Sequence, residues 1–426
     1  MKTLIASVLL CLPLSMAGAT AAGQLGLGAA DPAVPAPSAP SSARAQLKEW
    51  TVLIYVSARN NLGIEALKDV NEMEAAGSTG RVNVVAELGR IKCDPPFNPF
   101  SNVQEPTQAQ ADWTGSRRFL IQKDSDPLSV NSPVLSYEPD ADMGDWRHLA
   151  EFINWGKRTY PAKRYMLIIG GHGSGWRGVK APAARGIGYD DVSNNHIAPA
   201  ELAAAIKAGG GVNVYASDAC LMQTAEVIYE LKDSAELVVG SQETTPGSGY
   251  NYEVFLKALD SNPGDALAAA QAVMKGFSEF YGAQKQSVTM SIVRPALAGE
   301  LAAKLDVFAR LVAASPADMK LYHEKKWGLR AFEDEDARDL YQLMKLYYDN
   351  SPTPAVKAAA QDVICLLAQK LVVRNDAVGY KSKDANGLSV YFPVFDMNYK
   401  AKYEYLNFSK ATWWDEMLRA VMAAKN

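Results

Sequence analysis

A histidine set among glycines, in Gly170-Gly171-His172-Gly173-Ser174-Gly175-Trp176, and a cysteine in Ser217-Asp218-Ala219-Cys220 each follow an apolar run, 48 residues apart. Imidazole and thiol are a pair suited to acyl transfer: the thiolate attacks a carbonyl carbon and the imidazole moves a proton to the leaving amine. A free thiol has a pKa of about 8.5, so a nearby imidazole or a helix N-terminus raises its nucleophilic fraction at neutral pH. A helix predicted to begin near Leu221 would supply the second influence. The glycines let backbone approach a substrate closely, and the N–H groups of Gly173 and Cys220 are candidates for an oxyanion hole. Each residue also has a plain reading. A cysteine after an apolar strand is commonly a small buried hydrophobe, and a histidine in a glycine-rich loop is commonly a turn residue.

Which reading holds depends on the elements that carry the pair. Strand-type apolar runs at 49–57, 81–88, 164–170, 212–217 and 235–241 alternate with helical patterns at 61–76, 144–160, 198–209 and 221–233. Strands separated by ten or more helix-patterned residues predict right-handed crossovers and a mostly parallel sheet covered on both faces. In such a sheet, ligands bind outside the carboxyl ends of the strands. The loops carrying His172 and Cys220 follow successive core strands and are therefore expected on one rim. Their separation is also close to the roughly 50 residues by which histidine precedes cysteine in caspases.

The rest of the chain sets the frame. Its 426 residues are 48% apolar and carry a net charge of −4 with acids and bases interspersed, which predicts a globular fold and no nucleic-acid partner. Residues 1–21 read as a Sec-type signal peptide: Lys2, an apolar stretch from Leu4 to Met16, then small residues. That stretch is shorter than the ~20 residues needed to span a bilayer, so an exported chain without stable membrane insertion is expected. Cys11 lacks the preceding small residue that a lipid anchor would want. Residues 22–46 are a Pro/Ala/Ser-rich linker. A catalytic domain is expected over 47–294 and a largely helical C-terminal subdomain over 295–426, returning one strand at 387–394. Whether that third is a subdomain or an elaboration of the sheet stays open. Cys93, Cys220 and Cys365 are too sparse for a disulfide framework. Cys93 and Cys365 take the plain reading, as do His148, His196 and His323, which show no ligand spacing.

The motifs WTVLIYVSARNNL, VNEM, DMGD with FINW, GGHGSGW, SDACLM, ETTPGSGYNY and GLSVYFP resemble, in this order, the clostripain family of cysteine peptidases from Glu49 to the C-terminus. The resemblance implies a caspase-like α/β/α sandwich, with gingipains and legumains as wider relatives. It implies an endopeptidase cutting after Arg or Lys, with Cys220 as nucleophile and His172 as base. It places Asp218 in the pocket for the substrate's basic side chain, where a carboxylate can hold a guanidinium at two points; the plain reading of Asp218 is a helix N-cap. Glu243 is a candidate second acid of that pocket, and Trp176 either walls the cleft or packs under its loop. Self-cleavage between histidine and cysteine is expected after Arg185 first and Lys180 second. No cofactor is assigned. Calcium is raised by the resemblance, but Arg59 stands where relatives carry an aspartate, and Asp140, Asp142 and Asp145 lack the closing glutamate of a calcium loop. A monomer acting on peptides or proteins is expected. The competing readings are a peptide-binding protein without catalysis and a cysteine-dependent amidase or transpeptidase.

Overall fold

The computed structural model describes residues 47–92, 113–177, 186–393 and 395–424. The expected signal segment and linker, with Cys11, Cys93, Lys180 and Arg185, lie outside the described residues.

Along the chain, strands β1 (Lys48–Ala58), β2 (Val82–Arg90), β3 (Gly115–Leu120) and β4 (Val134–Glu138) are followed by β5 (Ala162–Gly171) and a short hairpin of β6 (Ile187–Asp190) and β7 (Asn195–Ile197). Then come β8 (Val212–Asp218), β9 (Ala235–Gly240), β10 (Val288–Val293), β11 (Ala337–Asp339), β12 (Val372–Val378) and β13 (Ser389–Tyr391). Nine strands form one sheet in the order β12-β10-β9-β8-β5-β1-β2-β3-β4. Its centre, from β9 through β8, β5 and β1 to β2, is parallel, and antiparallel strands extend both sides.

Side chains of a strand alternate between faces, and β1 shows what that does to the core. Leu53 and Tyr55 enter one apolar cluster with the helices Trp146–Thr159, Pro199–Ala208 and those beyond residue 298. Val52, Ile54 and Val56 enter the other, with the helices Gly63–Ala76, Tyr252–Ser261 and Ala266–Met274. Both faces of the central strands are thus buried, which is why they read as continuous apolar runs rather than alternating ones.

The C-terminal third is built onto the sheet, and the strand it returns is not the expected one. Its helices share the first apolar cluster with the sheet, and Leu47–Asn426 forms one compact unit with no break at 294–295. The strand it returns to the sheet is β12, whereas the expected segment 387–394 supplies β13, paired with β11 in a separate ribbon. The polar run Arg374-Asn375-Asp376 masks β12 in the sequence; at the sheet edge those residues find partners, as in the Arg374–Asp376 ion pair at 2.7 Å.

The parallel pairing sets the site's position. β5 and β8 run in register with Gly170 opposite Asp218, so His172 and Cys220 each lie two residues beyond that last pair. Gly171 ends β5 at φ +133°, and a Cβ there would sit 2.5 Å from the Ser57 carbonyl oxygen of β1. Gly171→Ala is therefore expected to lower the melting temperature by several degrees; an unchanged Tm would show that the strand end can give way.

Candidate active site

His172, Cys220 and Asp218 line one cavity of about 140 Å³ at the carboxyl rim of the sheet. The helix Gly63–Ala76 contributes Glu65 and Asp69 to its lining, and the loop after β9 contributes Thr245 and Gly249.

Cys220 is half-buried, and its Sγ accepts a hydrogen bond from the Thr245 N–H at 3.3 Å, with the Thr245 Oγ1 at 3.6 Å. The helix expected at Leu221 begins only at Ala225, capped by Thr224. Leu221 instead has φ +62°, a left-handed conformation costly for a branched side chain, and the chain turns sharply just past the cysteine. The turn holds because the Leu221 N–H donates to the Glu243 carbonyl and the Gln223 N–H to the Ser241 carbonyl. The anion-favouring donor at the sulfur is thus a loop N–H rather than a helix end.

His172 Nε2 lies 2.7 Å from the Asn61 Oδ1. With the amide oxygen facing the ring, Nε2 carries the proton and Nδ1 is left as the basic atom. Burial pushes the imidazole pKa below its ordinary value, partly opposed by Asp191, so the ring is neutral at pH 7. No hydrogen bond joins His172 directly to Cys220 among the described residues, as is common in sites awaiting substrate. Asn61 follows Asn60, whose side chain donates to the Ser57 and Tyr189 carbonyls and accepts from the Leu62 N–H, holding the loop after β1 in place.

Gly173 runs against the backbone of Cys220: a Cβ there would lie 2.6 Å from the Cys220 carbonyl oxygen and 3.2 Å from its nitrogen. Only glycine permits this approach, which brings the two backbone amides together.

Asp218 is 5% exposed and caps no helix. Its Oδ2 accepts from the Tyr250 N–H and the Tyr252 hydroxyl, both at 3.0 Å, whereas Oδ1 is buried with no hydrogen-bond partner. Burial raises the carboxyl pKa to about 6, opposed by those two donors. Gly249, at φ +58°, lies so close that a Cβ would be 2.6 Å from Asp218 Oδ2. Further out, Glu72 accepts from the Tyr252 N–H at 3.0 Å, and burial raises its pKa to about 7.

Other expected site residues fall elsewhere. Glu243 is turned away from the cavity: Arg330 pairs with its carboxylate at 3.2 Å and the Glu333 N–H donates to it at 2.9 Å. Trp176 is buried between Tyr391 and Tyr403, with ring centres 4.8 and 4.9 Å away, so it packs under its loop rather than walling the cleft. Arg59 forms a buried ion pair with Asp190 at 2.7 Å. Asp145 caps the helix Trp146–Thr159, and the Asp142 carboxylate accepts from Gly144, Ser193 and Asn195. These acids do not form a metal-binding cluster, and no such cluster of three His, Cys, Asp or Glu occurs among the described residues. Four residues of the site went unread in the sequence: Asn61, Asp69, Glu65 and Thr245. The Glu65, Asp69, Glu72 spacing, one acid per helical turn on one face, was the available signal for two of them.

A cysteine and a histidine on adjacent parallel strand ends of an α/β/α sandwich define the caspase-like class of fold. The chain belongs to the clostripain family, whose model matches residues 54–420. Clostripain from Hathewaya histolytica is 28% identical over 234 residues, an alignment covering 50% of this chain and 43% of that protein, so the chain matches less than half of its relative's length. Among solved structures, a secreted C11 cysteine protease from Bacteroides thetaiotaomicron, bound to an irreversible peptide inhibitor, superposes with a TM-score of 0.61 at 18% identity, over 86% of this chain and 100% of the other. An inactive zymogen C11 protease from Parabacteroides distasonis gives a TM-score of 0.63 at 18% identity, over 86% and 99%. Both likenesses confirm the fold.

The buried carboxylate makes a stability prediction. Because the folded pKa of Asp218 lies above its unfolded value, the native state binds this proton more tightly. Its cost is absent below about pH 4, builds as pH rises toward 6, and is fully present above that. Asp218→Asn should therefore melt above wild type at pH 8, with the gap closing toward pH 4. A variant less stable at pH 8 would contradict this electrostatic account.

Proposed function

We propose that this chain is an exported cysteine endopeptidase that hydrolyses peptide bonds after Arg and Lys. The observation that carries the reading is the buried Asp218 carboxylate, with one oxygen unpartnered, in the same cavity as Cys220 and His172. A group left so costs stability, and a cationic side chain entering the cavity would satisfy it.

In this reading the Cys220 thiol passes its proton to His172 Nδ1, and the thiolate attacks the carbonyl carbon that follows the basic residue. The Gly173 and Cys220 N–H groups receive the oxyanion. The imidazolium returns its proton to the leaving amine as the C–N bond breaks, leaving a thioester. Water, deprotonated by the imidazole, then cleaves the thioester and frees the acid. Asn61 keeps the ring in the tautomer this cycle needs. Export is supported by the signal-like leader and by the secreted relative. Maturation by self-cleavage after Arg185 or Lys180 belongs to the same proposal, since both lie between base and nucleophile; the zymogen relative is consistent with it.

A panel of fluorogenic peptides with Arg, Lys, Ala or Asp at the cleaved position tests the reading. Wild type should prefer Arg and Lys, Cys220→Ala should lose all turnover, and Asn61→Ala should lower kcat about 10- to 100-fold with little change in KM or Tm. Preference for Asp, turnover without Cys220, or peptide binding with no thioester formed would reject it. The kcat/KM ratio of Arg to Ala peptides should fall as pH drops through about 6, where Asp218 takes up its proton; a flat ratio would remove Asp218 from the pocket. Intact-mass measurement of wild type against Cys220→Ala tests maturation, with two chains expected only in the former.

A further inference from the structure

The cavity that holds Asp218 has further carboxylates in its lining. Asp69 lies one turn after Glu65 on the helix Gly63–Ala76, half-buried, and both line the cavity with Asp218 and Cys220. No lysine or arginine is among the described residues lining it. Tyr252 ties Asp218 to that helix: its hydroxyl donates to Asp218 Oδ2 and its N–H donates to Glu72, on the same helix as Asp69. The role expected of Glu243 as a second acid is not available to it, because Arg330 occupies that carboxylate.

We propose that Asp69 is the second carboxylate of the site for the substrate's basic side chain, holding one edge of a guanidinium whose other edge meets the unpartnered Oδ1 of Asp218. The inference rests on the peptidase reading above. A guanidinium is planar and carries five N–H donors, so one carboxylate leaves donors unmet, and a second lining the same cavity can meet them. An ammonium presents three donors from a single point and gains less from a second acceptor. Asp69 therefore tilts selection toward Arg over Lys. Burial, together with the nearby Asp218, Glu72 and Glu65, holds the Asp69 carboxyl well above the usual carboxylate range in the empty site. An incoming cation reverses that balance by favouring the ionised form.

Two measurements test this. In kinetics, Asp69→Asn should lower kcat/KM for Arg peptides about 10- to 100-fold, chiefly through KM, and for Lys peptides by less. Peptides with the neutral isostere citrulline should be slowed less than Arg peptides, because the charge that Asp69 would meet is absent. In binding, agmatine, a free guanidinium, should bind Cys220→Ala protein, and adding Asp69→Asn should weaken it at least about tenfold. Arg turnover and agmatine binding both within twofold of the parent would overturn the role of Asp69. If Asp218→Asn abolishes both under those conditions, the peptidase reading survives without it. If wild type cleaves no Arg peptide and Cys220→Ala binds no agmatine, both fall together. Should Asp69→Asn fail to fold, Asp69→Ser in the agmatine assay gives the same decision.

Discussion

The site depends on one pairing: β5 and β8 lie parallel and adjacent, with Gly170 level with Asp218. Two strands in that register deliver the residues following them to the same height above the sheet. This register brings His172 and Cys220 to one rim, and the Gly173 approach and the turn at Leu221 then set them beside one cavity. A slip of one residue would turn every side chain of one strand to the other face, and the burial of both faces makes such a slip prohibitively costly. The apolar clusters on the two sides of the sheet are therefore part of the catalytic geometry, although they touch no reacting atom.

Around that fixed point the structure accepts local costs. Leu221 sits at positive φ beside Cys220, and Asp218 keeps a buried oxygen without a partner. Both are held by neighbours that have stable reasons to stay. Glu243 and Ser241 receive the N–H groups of the turn, and Tyr250 and Tyr252 fix one oxygen of Asp218 while leaving the other. Strain and an unmet acceptor persist where surrounding structure over-determines them, and they concentrate here at the cavity. The C-terminal third has a part in this: the β13 residue Ser389 donates to the Gln223 carbonyl, just after the turn that follows Cys220, so its packing steadies that turn.

Much of this was legible in the chain. Parallel core strands are buried on both faces, so they appear as unbroken apolar runs, and the helices between them showed their period. His172 and Cys220 could be proposed because their positions follow from strand ends, and Asp218 because the resemblance to the clostripain family implies it. The start of the helix after Cys220 was misplaced, since the residues from Leu221 on are compatible with a helix and only hydrogen bonds to Glu243 and Ser241 divert them. β12 was missed because its edge position lets polar residues break its apolar pattern. Glu243 was credited to the cavity because its loop is near, whereas the direction of its side chain is decided by Arg330, 87 residues away.

What the sequence determined by itself was therefore the order and type of the central parallel strands and the helices between them, and with them the rim on which a thiol and an imidazole must emerge. Those depend on periodicity and on the right-handedness of crossovers, which are local properties or general to all chains. Tertiary structure alone decided which groups face the cavity: Asn61 against His172, the Thr245 N–H against Cys220, and Asp69 in one lining with Asp218. Such contacts join segments tens to more than a hundred residues apart, and their directions are set by packing that no single stretch of chain encodes.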